Sequence, residues 1–493
     1  MPNPILLIDG YKLDHRRQYP EGTTRVYSNW TARGSRVEGQ TEVVFLGLQY
    51  FLRKYLMEDM QVGFFQRPLS EVLEEYEHRV DEYLGPNTIG TAHIEELHRL
   101  QRIPLKFCAL PEGTRVPLRV PMLTVENTHE NFAWLPNYFE TLLSNVLWLP
   151  TTSATTAWRL RDLLDRGALA TGGDAGFVPW QGHDFSFRGM AGPEAAALSG
   201  LGHLVFFTGT DTIPAVELAE RYYDPIPTLG AGFTKKQGFI GGSVPATEHS
   251  VMCAGGETNE KETFERLLAL YPKGIVSVVS DTWNLWSVLC DVLPSLREQI
   301  LSRDGKLVIR PDSGDPVAIL CGDPSAPIHE PARRGVVELL WDTFGGSLTP
   351  TGHKLLDPHI GCIYGDAITF ERARAILENL YRKGFASTNV VFGVGSYSYQ
   401  YVTRDTYGFA MKATWAKVNA VGWNLFKAPV TDSGEKFSAK GRLAVAVGPD
   451  ARLGLINNAS PEAERDSLLK CVWNDGEFVR QQTLDDIRAV ARR

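Results

Sequence analysis

Between residues 154 and 396 the chain alternates between two rhythms of apolar and polar positions. Stretches with an apolar residue every three or four positions, the period of an amphipathic helix, cover 154–166, 258–270, 284–301, 336–344 and 370–382. Between them lie short β-branched or apolar runs at 203–207, 274–279, 306–309, 359–364 and 389–392, which read as buried strands. Each run ends in a polar turn: Gly209-Thr210-Asp211-Thr212, Ser280-Asp281, Arg310-Pro311-Asp312-Ser313-Gly314, Gly365-Asp366 and Gly393-Val394-Gly395-Ser396. In an α/β barrel the carboxyl ends of the strands share one face, and that face hosts the site. Asp211, Asp281, Arg310, Asp312, Asp366 and Gly395 are therefore expected to converge. Any one of them is also an ordinary turn residue; five such turns in succession favour a site.

The flanks follow another pattern. Residues 1–150 mix short strands with helices at 45–57 and 70–84, while 407–427 and 442–447 are rich in alternating β-formers. The fold class expected is α/β, with a TIM-like barrel at 151–400 and a second, β-rich domain built from both chain ends, 1–150 and 401–493.

Composition narrows the function classes. The 493 residues are 43% hydrophobic and 22% charged, ordinary globular proportions. With 50 Lys+Arg against 58 Asp+Glu, the formal net charge is −8. Nucleic acids and membrane surfaces are polyanions that select a basic face, so neither is an expected partner. No window approaches the apolar length of a membrane span, and the first residues lack a signal-peptide pattern; a cytoplasmic protein is expected. The six cysteines are scattered without a C-x-x-C pair, which predicts buried reduced thiols rather than a zinc site or a disulfide framework.

The loops carry the candidate chemistry. Gly238 to Ser243 lacks the Lys-Ser/Thr ending of a Walker A loop, and Gly393-Val394-Gly395 does not complete G-x-G-x-x-G because residue 398 is serine. Either loop can still offer backbone N–H groups to a phosphate. Arg404, Lys412, Lys427, Lys436 and Lys440 put cations on the strands beyond the barrel, as solvated outer-face residues or as phosphate ligands. Basic strands, acidic loops and glycine turns together suggest a phosphorylated sugar, with the acidic loops facing ribose hydroxyls or a hydrated Mg2+. His249 lies in Val244-Pro245-Ala246-Thr247-Glu248-His249-Ser250, where Glu248 is placed to raise the imidazole's basicity; spacing alone leaves a structural and a functional role open.

These motifs resemble one family. Asp9-Gly10-Tyr11-Lys12, Gln18-Tyr19-Pro20, His183-Asp184-Phe185-Ser186-Phe187-Arg188-Gly189, Gly209-Thr210-Asp211-Thr212 and the His249 loop are similar to motifs of the type II nicotinate/nicotinamide phosphoribosyltransferases. Ser277 to Asp281, Arg310 to Gly314, Thr403-Arg404-Asp405 and Lys440-Gly441-Arg442-Leu443 complete the set, in the same order from residue 9 to residue 443.

The resemblance implies an irregular α/β barrel beside a β-rich domain, and a head-to-tail homodimer with shared active sites. It implies transfer of a phosphoribosyl group from phosphoribosyl pyrophosphate (PRPP) to nicotinamide, with Mg2+ as cofactor and ATP as co-substrate. Phe185 of one subunit and Tyr11 of the other would sandwich the pyridine ring, and Arg188 would line the same pocket. Asp211 would accept the nicotinamide amide proton and repel the carboxylate of nicotinate. Arg33, Arg404, Lys412 and Lys427 would hold phosphates of PRPP or the nucleotide. Asp312, Gly365 and Asp366 would hold ribose hydroxyls, and Arg310, Gly395 and Ser396 would contact phosphate. His249 would be phosphorylated by ATP, oriented by Asp281 and backed by Glu248, and Mg2+ would be held mainly through substrate phosphates. Three positions depart from the family pattern: Ser396 replaces a glycine, Phe187 a tyrosine and Thr247 an alanine. The lysine on the adenine-nucleotide side is Lys436 or Lys440. The alternatives are a nicotinate-specific relative, a non-catalytic binding relative, and a sugar-phosphate barrel enzyme of other chemistry.

Overall fold

A computed structural model of the chain describes residues 3–223, 239–365, 367–427 and 439–493. Asp366 and Lys436 lie outside the described residues, as does Gly238 of the first glycine loop. The chain divides into two compact units, one of residues 1–155, 218–238 and 402–493, the other of residues 156–217 and 239–401.

The first unit is built on a seven-stranded antiparallel sheet that interleaves both chain ends. Its order is Val421–Asn424, Phe409–Val418, Thr23–Ala32, Pro121–Asn127, Leu105–Ala109, Lys470–Asn474 and Glu477–Phe478. Trp30 and Phe409, both fully buried, stack across two of these strands with ring centroids 4.7 Å apart.

The second unit carries a six-stranded parallel sheet. Its strands are β1 (Gly182–Asp184), β2 (Gly209–Thr210), β3 (Lys273–Val279), β4 (Asp304–Arg310), β5 (Ile360–Tyr364) and β6 (Val390–Val394), in the order β2-β1-β6-β5-β4-β3. The extended segment 242–247 bridges both edges. Gly242 pairs with Gly209 of β2, and Ala246 pairs with Ser277 of β3, each in parallel. Backbone bonds from Thr210 N to Gly242 O (3.0 Å) and from Thr247 N to Ser277 O (3.0 Å) close the sheet into an irregular barrel, so no edge is left unpaired at these points. The residue at 247 explains itself: its Oγ1 accepts the buried Val279 N–H at 3.0 Å, a donor that an alanine would leave unsatisfied.

Several elements differ from expectation. Residues 203–207 are not a strand: helix Pro193–Leu204 runs into them, and β2 starts at Gly209. The helix is buried on every side from Ala196 to Leu204, which erases the helical period and makes its end read as a buried strand. The helix expected at 284–301 runs from Leu285 to Leu301 but irregularly, with a π turn at Val288–Val292 and an interruption at Leu296, around Pro294, whose ring removes a backbone donor. The cysteines are not all buried: only Cys321 and Cys362 are, Cys253 and Cys290 are exposed, and Cys108 and Cys471 are half-buried.

Candidate active site

The carboxyl ends of the second unit's strands place most of the expected residues. β1 delivers His183 and leads into Phe185, β2 leads into Asp211, and the bridging segment carries Ser243. His183 Nε2 lies 2.8 Å from Asp211 Oδ1, and the Ser243 hydroxyl donates to that same oxygen. Burial pushes the Asp211 carboxyl up, but the His183 and Ser243 hydrogen bonds and the charge of Arg310 outweigh it and hold it below the usual carboxylate range. The Phe185 ring packs beside the His183 imidazole with centroids 4.6 Å apart.

Phe185, Phe187, Arg188, Met190, Asp211 and Thr212 all line one cavity of about 490 Å3. An aromatic face, a guanidinium and a carboxylate thus open into a single space sized for a small ring with a polar substituent. Phe187, the departure from tyrosine, keeps an aromatic wall in the same cavity.

β3 and β4 build the second cluster. Asp281 Oδ2 accepts from the Asp312 backbone N–H at 2.8 Å and from Ser313 Oγ at 2.6 Å, which ties the two acidic loops together. Among the described residues, Asp281 Oδ1 is buried without a hydrogen-bond partner. His249, at the start of helix His249–Gly255, turns Nδ1 to Thr282 Oγ1 (3.1 Å), with Nε2 4.0 Å from Asp281 Oδ1 and 3.8 Å from Asp312 Oδ2. Glu248 does not face the imidazole; its carboxylate accepts from the Ser250 hydroxyl, and the acids beside His249 are Asp281 and Asp312.

Arg310 links the two clusters. Its Nη2 donates to the Thr247 carbonyl, and its Nε is buried without a partner among the described residues. Burial pushes the guanidinium down, opposed by the charges of Asp312, Asp211 and Asp281 and reinforced by Arg188. This unsatisfied buried donor among acidic and basic loops is suited to an incoming anion. Gly365 follows β5 beside Asp312 and Arg310. Gly395 follows β6 with open space where a Cβ would be, and Ser396 packs on Gly189, where an added Cβ would stand 2.4 Å from the serine's own Cβ and Oγ. The serine in the phosphate turn is accommodated because residue 189 has no side chain.

The first unit gathers the basic residues. Lys412, opposite Asn29 in the sheet, is pushed below the usual lysine range by burial and by Arg33, Lys427 and Arg404, against the pull of Glu140. Arg33 Nε donates to the Gly408 carbonyl (3.0 Å), and Arg404 pairs with Asp405 (2.9 Å). The mutual influence of these like charges is one that a bound anion would relieve. Tyr11 is 63% exposed, its ring 5.2 Å from that of His15 and capped by Lys12 Nζ at 5.2 Å. Lys440 Nζ lies 5.6 Å from the Phe426 ring centroid.

Sequence reasoning missed His183, Ser243, Thr282 and Ser313 as partners of the site. His183 and Ser313 stood in family motifs and Ser243 in the first glycine loop, but nothing in their spacing signalled that His183 and Ser243 end on one oxygen of Asp211.

The profile of the nicotinate phosphoribosyltransferase (NAPRTase) family matches residues 180–477, and that of the nicotinamide phosphoribosyltransferase N-terminal domain matches residues 3–66. The chain is 50% identical over 498 residues to a nicotinamide phosphoribosyltransferase of Acinetobacter baylyi, covering 99% of this chain and 96% of that one. It is 35% identical to the enzyme of that name from Mycoplasma pneumoniae (87% and 92% covered) and 34% to that from Xanthomonas campestris (100% and 98%). Among solved structures, a nicotinate-nucleotide pyrophosphorylase from Pyrococcus furiosus aligns with a TM-score of 0.57 at 16% identity, over 98% of this chain and 93% of that one. Human nicotinic acid phosphoribosyltransferase aligns at 0.50 and 17%, over 99% and 93%. At such identities the likeness is one of fold.

Proposed function

The chain belongs to the nicotinate phosphoribosyltransferase family, and we propose that within it the chain acts on the amide, joining nicotinamide to PRPP to give nicotinamide mononucleotide and pyrophosphate in NAD salvage. One observation carries the choice of substrate: a carboxylate, Asp211, stands in the wall of the aromatic cavity with its Oδ1 occupied by His183 and Ser243. Oδ2 is then the acceptor for an amide N–H, whereas nicotinate would bring a second negative charge against it. The full-length identity to a nicotinamide phosphoribosyltransferase points the same way.

The reaction is displacement at ribose C1′ by the pyridine nitrogen. The protein aligns that nitrogen and neutralises the departing pyrophosphate. Phe185 forms one face of the ring pocket, and Tyr11 of a second subunit forms the other in a homodimer. As the neutral ring becomes a pyridinium, its attraction to the aromatic faces grows, so the contact favours the transition state over the substrate. Arg188, Arg310 and the turn at Gly395-Ser396 receive the nucleotide phosphate, and Asp312 with Gly365 receives the ribose hydroxyls. The convergent cations Arg33, Arg404, Lys412 and Lys427 of the first unit suit pyrophosphate and nucleotide phosphates.

Among the described residues no group of three or more His, Cys, Asp or Glu side chains is arranged to hold a metal ion. Mg2+ bound to the pyrophosphate would add neutralising charge to that leaving group, and the spare Asp281 Oδ1 beside Asp312 is the fitting protein-side acceptor for such an ion. ATP is coupled through His249. With Nδ1 engaged by Thr282, Nε2 takes the γ-phosphoryl group as ADP leaves, and Asp281 and Asp312 stabilise the imidazolium formed during transfer.

The test is incubation with PRPP and Mg2+ plus nicotinamide or nicotinate, with and without ATP, followed by product analysis. Nicotinamide mononucleotide is the expected main product, and its yield is expected to rise with ATP. Nicotinate mononucleotide as the main product would overturn the assignment.

A further inference from the structure

Cys108 and Cys471 are 363 positions apart in sequence and face one another across two antiparallel strands of the first unit, in direct register. Directly opposed residues of an antiparallel pair have Cα atoms about 4.5–5.5 Å apart, inside the range that a disulfide spans. The register shifts immediately after Cys471, between it and Trp473. A bulge at that point gives the backbone the local freedom a closing S–S bond needs. Both thiols are half-buried. The strand Leu105–Ala109 alternates buried and half-buried residues and puts Cys108 on the same face as Lys106. Both cysteines open onto a cavity of about 640 Å3 whose walls also include Lys106, Lys470 and Arg442.

We propose that Cys108 and Cys471 form a dithiol site that hydrogen peroxide oxidises to an intramolecular disulfide. The Cys471 thiolate attacks one peroxide oxygen, the O–O bond breaks, and a sulfenic acid forms as the first water leaves. The Cys108 sulfur then attacks the Cys471 sulfur, and the S–O bond breaks, releasing the second water. Two thiols lose two electrons and two protons in all, and one peroxide becomes two waters. Surroundings assign the roles. The neighbouring Cys108 thiol and the Lys106 charge draw Cys471 down to about 6 despite burial, and Cys471 Sγ lies 3.7 Å from the Trp473 carbonyl oxygen. The neighbouring Cys471 sulfur, and then burial, push Cys108 up, as suits the resolving thiol. Burial, opposed by Lys383 and helped by Asp315, drives Cys321 up to about 12, and burial with Asp291 raises Cys290.

The experiment uses the full chain at neutral pH, treated with a small molar excess of hydrogen peroxide, alkylated and digested. Mass spectrometry should recover the Cys108 and Cys471 peptides as one cross-linked species that dithiothreitol separates, with two of the six thiols lost to titration. Cys108→Ser should stop at a sulfenic acid on Cys471 that dimedone traps. Cys471→Ser should leave Cys108 unmodified over the same time. In brief iodoacetamide labelling of untreated protein, Cys471 should react roughly tenfold faster than the exposed Cys253. Absence of the cross-linked peptide while Cys253 or Cys290 oxidises would overturn the proposal. Equal labelling of Cys471 and Cys253 would overturn its role as the attacking thiol.

Discussion

Gly365 leaves room for the Asp312 carboxylate: a Cβ at residue 365 would stand 2.5 Å from Asp312 Oδ1 and 3.4 Å from Arg310 Cδ. The loops after β4 and β5 are therefore fitted to each other at the point where the ribose is proposed to bind. Alanine at 365 must displace the end of a rotatable side chain rather than backbone, which is cheap for stability but moves the carboxylate. Gly365→Ala is expected to raise the KM for PRPP by roughly tenfold with a melting temperature close to wild type. Steady-state kinetics with PRPP varied, beside a thermal melt, check both halves.

Asp211 is the residue on which the choice of base rests. With His183 and Ser243 both on Oδ1, the carboxylate is fixed in orientation and held ionised, so its charge stays in the cavity throughout the neutral range. Removing the charge removes the repulsion that nicotinate meets. Asp211→Ser is expected to lower kcat/KM for nicotinamide and to narrow its lead over nicotinate by roughly tenfold or more, since like-charge juxtaposition costs several kcal/mol. Paired assays of both bases on wild type and variant measure this; equal discrimination in the two proteins would remove Asp211 from the explanation.

His249 stands beside Asp281 and Asp312 and does not line the cavity that holds Phe185 and Asp211. Its loss takes away the nucleophile proposed for ATP without touching the groups that align nicotinamide. His249→Ala is expected to keep basal transfer from PRPP and to lose stimulation by ATP. Product formation with and without ATP reads this directly, and stimulation undiminished in the variant would exclude the phosphohistidine.

Much of this arrangement was legible in the chain, for identifiable reasons. Helices Val336–Phe344 and Phe370–Arg382 match their expected bounds because each has one apolar face and a clear end, Gly345 with positive φ after the first and Thr369 capping the second. The strand-end residues Asp281, Arg310 and Asp312 fall together because a parallel barrel puts all carboxyl ends on one face. Strand β1 was invisible: it is three residues long, and two of them, His183 and Asp184, are polar. The bridging segment 242–247 has no strand signal either, since its pairing is tertiary and includes Pro245. For the same reason the donors to Asp211, 28 and 32 positions away, follow no local spacing rule. Cys108 and Cys471 likewise become a pair only through the register of two distant strands.

The last expectation concerns stability against pH and rests on histidines that take no part in the reaction. His203 is fully buried, bonded to Tyr399 Oη (2.7 Å) and the Gly209 carbonyl (2.9 Å), and burial lowers it to about 4. His93 lies under Tyr76 and Trp134, and burial lowers it to about 3. In the unfolded chain both titrate near 6.5. Each therefore stabilises the fold in full above about pH 6.5, and that contribution falls as the pH drops, because the unfolded state takes up a proton that the folded state refuses. Between pH 7 and pH 5 the loss is about 2 kcal/mol for each. Carboxylates held low, such as Asp211, titrate below this window and do not contribute to it. Glu260, raised to about 7 by burial and Glu257, and Glu112, raised by burial, pull the other way over this range, so the histidine share is read by difference. In urea unfolding at pH 7 and pH 5, His203→Gln, which retains hydrogen-bonding capacity without a titrating group, should lose less midpoint on acidification than wild type. The same pH dependence in wild type and His203→Gln would mean that the His203 imidazole is not held neutral by the fold.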